Sequence, residues 1–392
     1  PMGTHSVGDL LDCGRRGDCD GAYDTGCEVD LVTTITSCGV CGYACAGGEP
    51  CRDGICESER VVQISTGGFD HICAVRASGQ ALCWGGNTYG QLGTGDTLDR
   101  LVPTPVVGPS DFVNVEVGGS STCGIRRGGT VACWGRNFWG ELGDGTVVDR
   151  AVPGDTLPIG GVVAELALGT GVNGYAVVRT TDGELWGWGN NLYGQLDPAS
   201  IDFVPHPIPS ALGISGVASV DASQVHICWL ETGGTARCQA ESASRPFDFT
   251  DLAFRGLSTA SMHACGLDDA GRLFCTGDNT DGQVGPFPCS TCTRALQVPL
   301  PAPSVDFGTG DIRTCTLLTT GDVQCWGASS SASLTALPDI VSVSVRGLGT
   351  CALDRAGEVW CWNGWLVGDG TVAYRSAPTK VIRLYPGGSS LP

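Results

Sequence analysis

The sequence predicts an all-β repeat protein with a small cysteine-rich module at its start. Three observations predict this. One skeleton recurs seven times: Cys73/Gly79/Cys83, Cys123/Gly129/Cys133, Cys228/Gly234/Cys238, Cys265/Gly271/Cys275, Cys315/Gly321/Cys325, Cys351/Gly357/Cys361, and a copy without cysteines at Val177/Gly183/Gly187. Repetition of one supersecondary unit is the signature of a repeat architecture. Apolar residues alternate on either side of a short polar turn, as in Ala74-Val75 and Ala81-Leu82, which is the period of a strand. The chain also holds 22 cysteines in 392 residues, an even number that points to an oxidising compartment.

Residues 1–57 form the cysteine-rich module, with Cys13, Cys19, Cys27, Cys38, Cys41, Cys45, Cys51 and Cys56. So short a segment cannot bury a sufficient core and needs covalent staples. Their connectivity is open at this level. The run Cys38-x-x-Cys41-x-x-x-Cys45 has metal-ligand spacing, but in a cysteine-dense exported segment disulfides are the better reading. Asp18, Asp20, Asp24, Glu28 and Asp30 carry hard oxygen ligands that calcium takes; the alternative is a solvated acidic loop. Otherwise no cofactor is expected. Pro1-Met2-Gly3 reads as a cloning remnant and 387–392 as a tail or linker.

Residues 58–386 hold the repeats. Each copy is predicted to be a β-hairpin with Gly at the turn, where φ > 0 is needed and Gly takes it without a Cβ clash. The cysteines flank that turn nearly symmetrically, so they fall opposite one another on paired strands. The expected bridges are Cys73–Cys83, Cys123–Cys133, Cys228–Cys238, Cys265–Cys275, Cys315–Cys325 and Cys351–Cys361. Each contributes roughly 3 kcal/mol in the chain-entropy view. The spare pair Cys289/Cys292 sits among prolines with no helix after it, so a small structural disulfide is expected there and not a redox dithiol. Val61-Val62-Gln63-Ile64-Ser65 reads as an outer strand opening the repeats. First-cysteine positions step by 50, 54, 51, 37, 50 and 36, so the fourth and sixth copies are short. What they lose is the loop after Trp-Gly, which begins at Asn87, Asn137, Asn191 and Asn279 in the longer copies.

The pattern His71-x-Cys-Ala-Val…Gly79…Cys83-Trp-Gly-x-Asn87-x-Tyr-Gly-Gln-Leu-Gly93 resembles the regulator-of-chromosome-condensation repeat, over about residues 60–386. The resemblance implies a seven-bladed β-propeller. It implies function weakly, since some members exchange guanine nucleotides on a small GTPase and others are secreted bacterial binders. The module at 1–57 is similar to cysteine-rich modules of secreted myxobacterial proteins.

The net charge of −19, with Lys380 the only lysine, argues against nucleic acid and anionic membrane surfaces. No apolar run is long enough for a membrane span. No nucleophile elbow, zinc-protease or phosphate-loop motif occurs. His71, His226 and His263 share one repeat position, held elsewhere by Ser121, Tyr175, Arg313 and Gly349. Bonding to local backbone is expected of them ahead of metal binding. Trp84, Trp134, Trp188, Trp326 and Trp362 share another position, which reads as packing between blades. The loop aromatics Tyr89, Phe138, Trp139, Tyr193 and Trp365 lie in copies one, two, three and seven, adjacent around a closed ring. They are the expected partner-binding residues, with Trp139 and Trp365 foremost. The expected role is a secreted or surface-exposed, non-enzymatic propeller that binds another protein or a surface glycan. The rivals are a structural component of an extracellular assembly and a hydrolase using rim carboxylates.

Overall fold

All seven turn glycines adopt positive φ, between 75° and 89°. Around them, in a computed structural model, the repeats fold as seven antiparallel sheets. The structure describes residues 16–17, 29–30, 33–34, 36–37, 44–52, 55–68, 71–172, 174–239, 247–328, 333–334, 337, 339–347 and 349–382. Among them are two short 3₁₀ turns and no α-helix, and no helix is long and apolar enough to cross a membrane. The chain divides into two compact units, 1–60 and 61–392.

In the first unit Cys45 is bridged to Cys56 and is therefore no zinc ligand. Cys51 is also disulfide-bonded and packs against that bridge. Glu49 accepts hydrogen bonds from the Ser58 amide at 2.8 Å and hydroxyl at 2.6 Å. Of the calcium candidates only Asp30 lies within the described residues, and its carboxylate accepts from Thr33 Oγ1 at 2.7 Å. The tail 387–392 lies outside the described residues.

The second unit is the seven-bladed propeller. Six blades are four-stranded meanders, and the fourth shows three strands among the described residues. The first strand of each blade is the innermost: Val61–Thr66, Phe112–Val117, Val163–Leu168, Val217–Ala222, Gly256–Thr259, Ser304–Gly310 and Ile340–Arg346. Val61–Thr66 is thus an inner strand, not the outer one expected from sequence. Its exposed Val62 gives the look of a rim strand, but Ile64, Ser65 and Thr66 are buried and Thr66 reaches Ser344 of blade 7.

Among the described strands every blade pairs only with itself. Closure is by packing. Ile64, Ile72 and Trp84 of blade 1 share one core with Leu353, Val367 and Val381 of blade 7. The other six propeller cores likewise lie between successive blades. Strand direction then fixes two ends. The long loops share one end with the turns after the inner strands; the glycine turns share the other with the blade-to-blade connections, as Gly79 against Ser110 shows.

In six blades the hairpin cysteines stand directly opposite and are bonded, with Cα–Cα distances of 4.0–4.2 Å. Cys289–Cys292 closes the blade 5 loop. In blade 3 the facing pair is Val177 and Gly187. A Cβ on Gly187 would meet Leu196 Cδ2 at 2.6 Å, so leucine fills the space a bridge would take. Packing replaces the staple there but does not restrain the opened hairpin. Native-state hydrogen exchange should therefore find the blade 3 hairpin, 175–189, opening at lower free energy than its stapled counterparts, with the difference erased by reductant. Equal protection before reduction would show that seam packing alone sets local stability.

Candidate functional site

The long loops share one internal clamp. Asn87 is fully buried; its Oδ1 accepts from Leu92 N at 2.9 Å and its Nδ2 donates to the carbonyls of Asp96 and Leu98. Asn137 repeats this with Leu142, Thr146 and Val148, and Asn191 with Leu196, Asp197 and Ser200. Asn279 repeats it with Val284, Phe287 and Cys289. One side chain thereby satisfies three backbone groups that a loop would otherwise leave unpaired. Ion pairs Arg100–Asp96, Arg150–Asp144 and Arg375–Asp369 brace the far side of three loops. The Arg100 guanidinium bonded to Asp96 holds its carboxyl below the usual carboxylate range. These carboxylates serve loop structure.

Each clamped loop presses on the next blade. Trp188 Nε1 donates to Glu141 O at 2.8 Å and Trp326 Nε1 to Gln283 O at 3.0 Å. Gly93, Gly143 and Gly368 lie flat on Trp134, Trp188 and Trp84; a Cβ there would sit 2.7–2.8 Å from the indole nitrogen. The tryptophans are seam residues, as the sequence indicates.

The histidines also serve the seams, but through side chains of the next blade and not through local backbone. His71 Nε2 lies 3.0 Å from Thr122 Oγ1, and His263 Nε2 lies 2.9 Å from Thr314 Oγ1. Each threonine donates its proton to a loop carbonyl, Gln91 O or Gln283 O, at 2.8 Å. The imidazole must therefore donate from Nε2, which fixes the neutral tautomer. Burial lowers the pKa of His71, His226 and His263 to about 3. His226 also bonds a threonine of the next blade, Thr259, which lies on the inner strand.

On this scaffold the loop aromatics are displayed unequally. Phe138 is 57% exposed, Trp365 65% and Tyr89 39%, while Trp139 and Tyr193 are half-buried. Arg136 stacks on both Tyr89 and Phe138, at 5.4 and 5.5 Å to the ring centroids, and Phe138 meets Trp139 edge-on at 5.1 Å. This joins blades 1 and 2 in one aromatic cluster. Trp365 meets Tyr374 at 5.4 Å in blade 7. The sequence reading omitted Tyr374 and the exposed Leu98, Val148, Val372 and Phe203, which lie on the same loops. A signal for three of them exists in the repeated Gly-Asp-Thr-Leu98, Asp144-Gly-Thr-Val-Val148 and Asp369-Gly-Thr-Val372.

A second concavity lies among the inner strands. It is a cavity of about 300 Å³ whose lining includes Glu116, Glu165, Ser219, Asp221, Ser258 and Arg346. Arg346 of blade 7 pairs with Asp221 of blade 4 and donates to Ala222 O at 2.7 Å. Burial raises the pKa of Glu116, which accepts from Ser65 Oγ and Asn114 Nδ2.

Glu141 stands where the other loops have Gln91, Gln195 and Gln283, and it accepts Trp139 N at 2.7 Å. It is 2% exposed, and burial raises its pKa to about 7. A folded-state pKa above the unfolded value gives stability that is full below about pH 4.5 and lost as pH rises through 7. Glu141→Gln should thus leave the melting temperature near wild type at pH 4 and raise stability at pH 8, by up to about 3 kcal/mol. Parallel pH profiles of the two proteins would refute the assignment.

Two family models of the regulator of chromosome condensation (RCC1) repeat match the chain, one at residues 78–125 and one at 61–91, 172–195 and 263–283. The human E3 ubiquitin-protein ligase HERC2 is 25% identical over 270 residues, 64% of this chain and 4% of that protein. The mitochondrial RCC1 domain-containing protein RUG3 of Arabidopsis thaliana is 36% identical over 78 residues, 19% of this chain and 17% of RUG3. The chain therefore spans only a small part of these relatives. Prp20p of Saccharomyces cerevisiae, whose structure is described with its binding to Gsp1p and histones, superposes with a TM-score of 0.57 at 14% identity, covering 89% of this chain and 84% of Prp20p. The ectodomain of the Physcomitrella patens receptor kinase CR4 superposes with a TM-score of 0.53 at 20% identity, covering 78% of this chain and 73% of the ectodomain. At such identities the superpositions show fold alone. Models of the RCC1 repeat thus match parts of the chain, and its seven hairpin units close into one β-propeller.

Proposed function

We propose that this propeller is a non-enzymatic binding module of an exported protein, and that it recognises another protein through its long-loop end. The observation that carries this is the Tyr89–Arg136–Phe138–Trp139 cluster, with Trp365–Tyr374 on blade 7, the neighbour of blade 1 around the ring. Large rings held on clamped loops bury much area with little entropy lost on docking. Arginine stacked between rings is typical of interface anchors. The loop carboxylates already engaged by arginines favour a binder over a hydrolase. Propeller bridges in six of seven blades fit an oxidising compartment. Prp20p's binding to Gsp1p and histones is a precedent within the same fold. A surface glycan is the second class of partner to be screened, since sugars also stack on exposed rings.

The test is affinity capture with the full chain, beside a glycan array, followed by titration of variants against the captured partner. Phe138→Ala and Trp365→Ala should each weaken binding by about 1–3 kcal/mol with unchanged melting temperature. Trp139→Ala should weaken it too but also loosen its loop, because Trp139 is half-buried against Phe138. Val305→Ala, at the opposite end of the ring, should have no effect. Normal binding by both the Phe138 and Trp365 variants would remove this surface from consideration.

A further inference from the structure

Arg313 is the anomaly among the seam residues. It occupies the repeat position of His71 and His263, pairing across its hairpin with Gly327 as they pair with Gly85 and Gly277. It is 1% exposed, and among the described residues its Nε and Nη1 are buried without a hydrogen-bond partner. On the next blade Thr350 stands in the register of Thr122 and Thr314, opposite the seam tryptophan. It too is fully buried, and its hydroxyl has no partner. At the seams between blades 1 and 2 and between blades 5 and 6 this pair of positions is satisfied by imidazole to hydroxyl to loop carbonyl. Blade 6 has no Asn-x-x-Gly-Gln loop after Trp326-Gly327 to supply that carbonyl.

A buried guanidinium cannot shed its charge, and leaving it unpaired is among the costliest arrangements in a protein interior. Burial lowers its pKa, with the Tyr374 phenol of blade 7 opposing that shift. An acceptor-only group of single negative charge would satisfy both, taking hydrogen bonds from the guanidinium and the threonine hydroxyl. A planar carboxylate matches the forked donors of arginine, where a spherical halide does not, and a phosphate dianion would overcompensate one cation. With Arg313 1% and Thr350 0% exposed, only a compact free acid is a candidate ligand. We propose that the seam between blades 6 and 7 binds a small carboxylate anion between Arg313 and Thr350.

The test uses the full chain exchanged into an anion-poor zwitterionic buffer, with thermal unfolding and calorimetry during titration of acetate, chloride or phosphate at matched ionic strength. Acetate should raise the wild-type melting temperature in a saturable manner and more than the other two. Arg313→His should rebuild the His–Thr bond that His71 and His263 make, so it should melt above wild type without anion and show no acetate response. Thr350→Val keeps the charge but loses one donor, and should need about tenfold more acetate for the same rise. An identical acetate response in wild type and Arg313→His overturns the site. A stronger response to chloride or phosphate overturns the carboxylate assignment. A Thr350→Val protein with wild-type acetate dependence also overturns the proposal, and holds even if the histidine variant does not fold.

Discussion

The propeller depends on a contact that always runs the same way around the ring, from the clamped loop of one blade onto the tryptophan of the next. A four-stranded sheet with two apolar faces cannot hide either face by itself. Placing each core between two blades buries both at once, and the indole is the largest part of most of these cores. Where the tryptophan is absent, the seam is rebuilt from other parts. Blade 4 has Gln239 at that position, donating to Gln195 O of the blade 3 loop, while Tyr175 OH donates to His226 O at 2.8 Å. Blade 5 has Thr276 there, and the seam before it is filled by Phe249, Phe254 and Phe274 in contact with one another.

The disulfides act on a different scale. Each closes a hairpin within one blade, so none of the propeller bridges ties one blade to another. The ring itself is held by noncovalent seams, and among the described strands none is exchanged between blades 7 and 1. Two links compensate. Thr66 bonds Ser344 through both backbone and hydroxyl, and Gly370 N donates to Leu101 O between the outer loops. Arg346 then carries blade 7 to Asp221 of blade 4, far around the ring, with Glu116 of blade 2 in the same cavity. A buried ion pair of this kind adds little net stability, but breaking one partner strands the other. Its value is in fixing which inner strands face each other.

The hairpins were legible in the sequence because everything that specifies them lies within about a dozen residues: a turn glycine, facing cysteines, alternating apolar positions. The seams were legible only as a class of residue. The tryptophans could be assigned to packing, but the histidines could not be matched to Thr122 and Thr314, whose partners lie 51 residues away in sequence. The same distance hid the inner position of Val61–Thr66, since an inner and an outer strand differ in neighbours and not in period. The loop aromatics were found by type. Their exposure was not, because Phe138 and Trp139 are adjacent, and which ring points outward follows from a loop path held by Asn137 and by Glu141 on the Trp139 amide.

That clamp explains how one loop can serve both architecture and recognition. The seam contact is made by backbone carbonyls and glycines, Glu141 O and Gly143 against Trp188, or Gln91 O against Thr122. The buried asparagine holds the loop path through backbone groups and through side chains of its own loop, such as Thr94 and Asp96. The outward side chains at 89, 138, 365 and 374 therefore contribute little to closure and are free to differ between blades. Glu141 breaks this separation. It bonds the amide of Trp139 from a buried site where glutamine would be neutral, so the charge state of one seam residue bears on how one displayed ring is held. Among the clamped loops, the one in blade 2 is thereby made sensitive to proton activity, and it is the loop that carries the centre of the aromatic cluster.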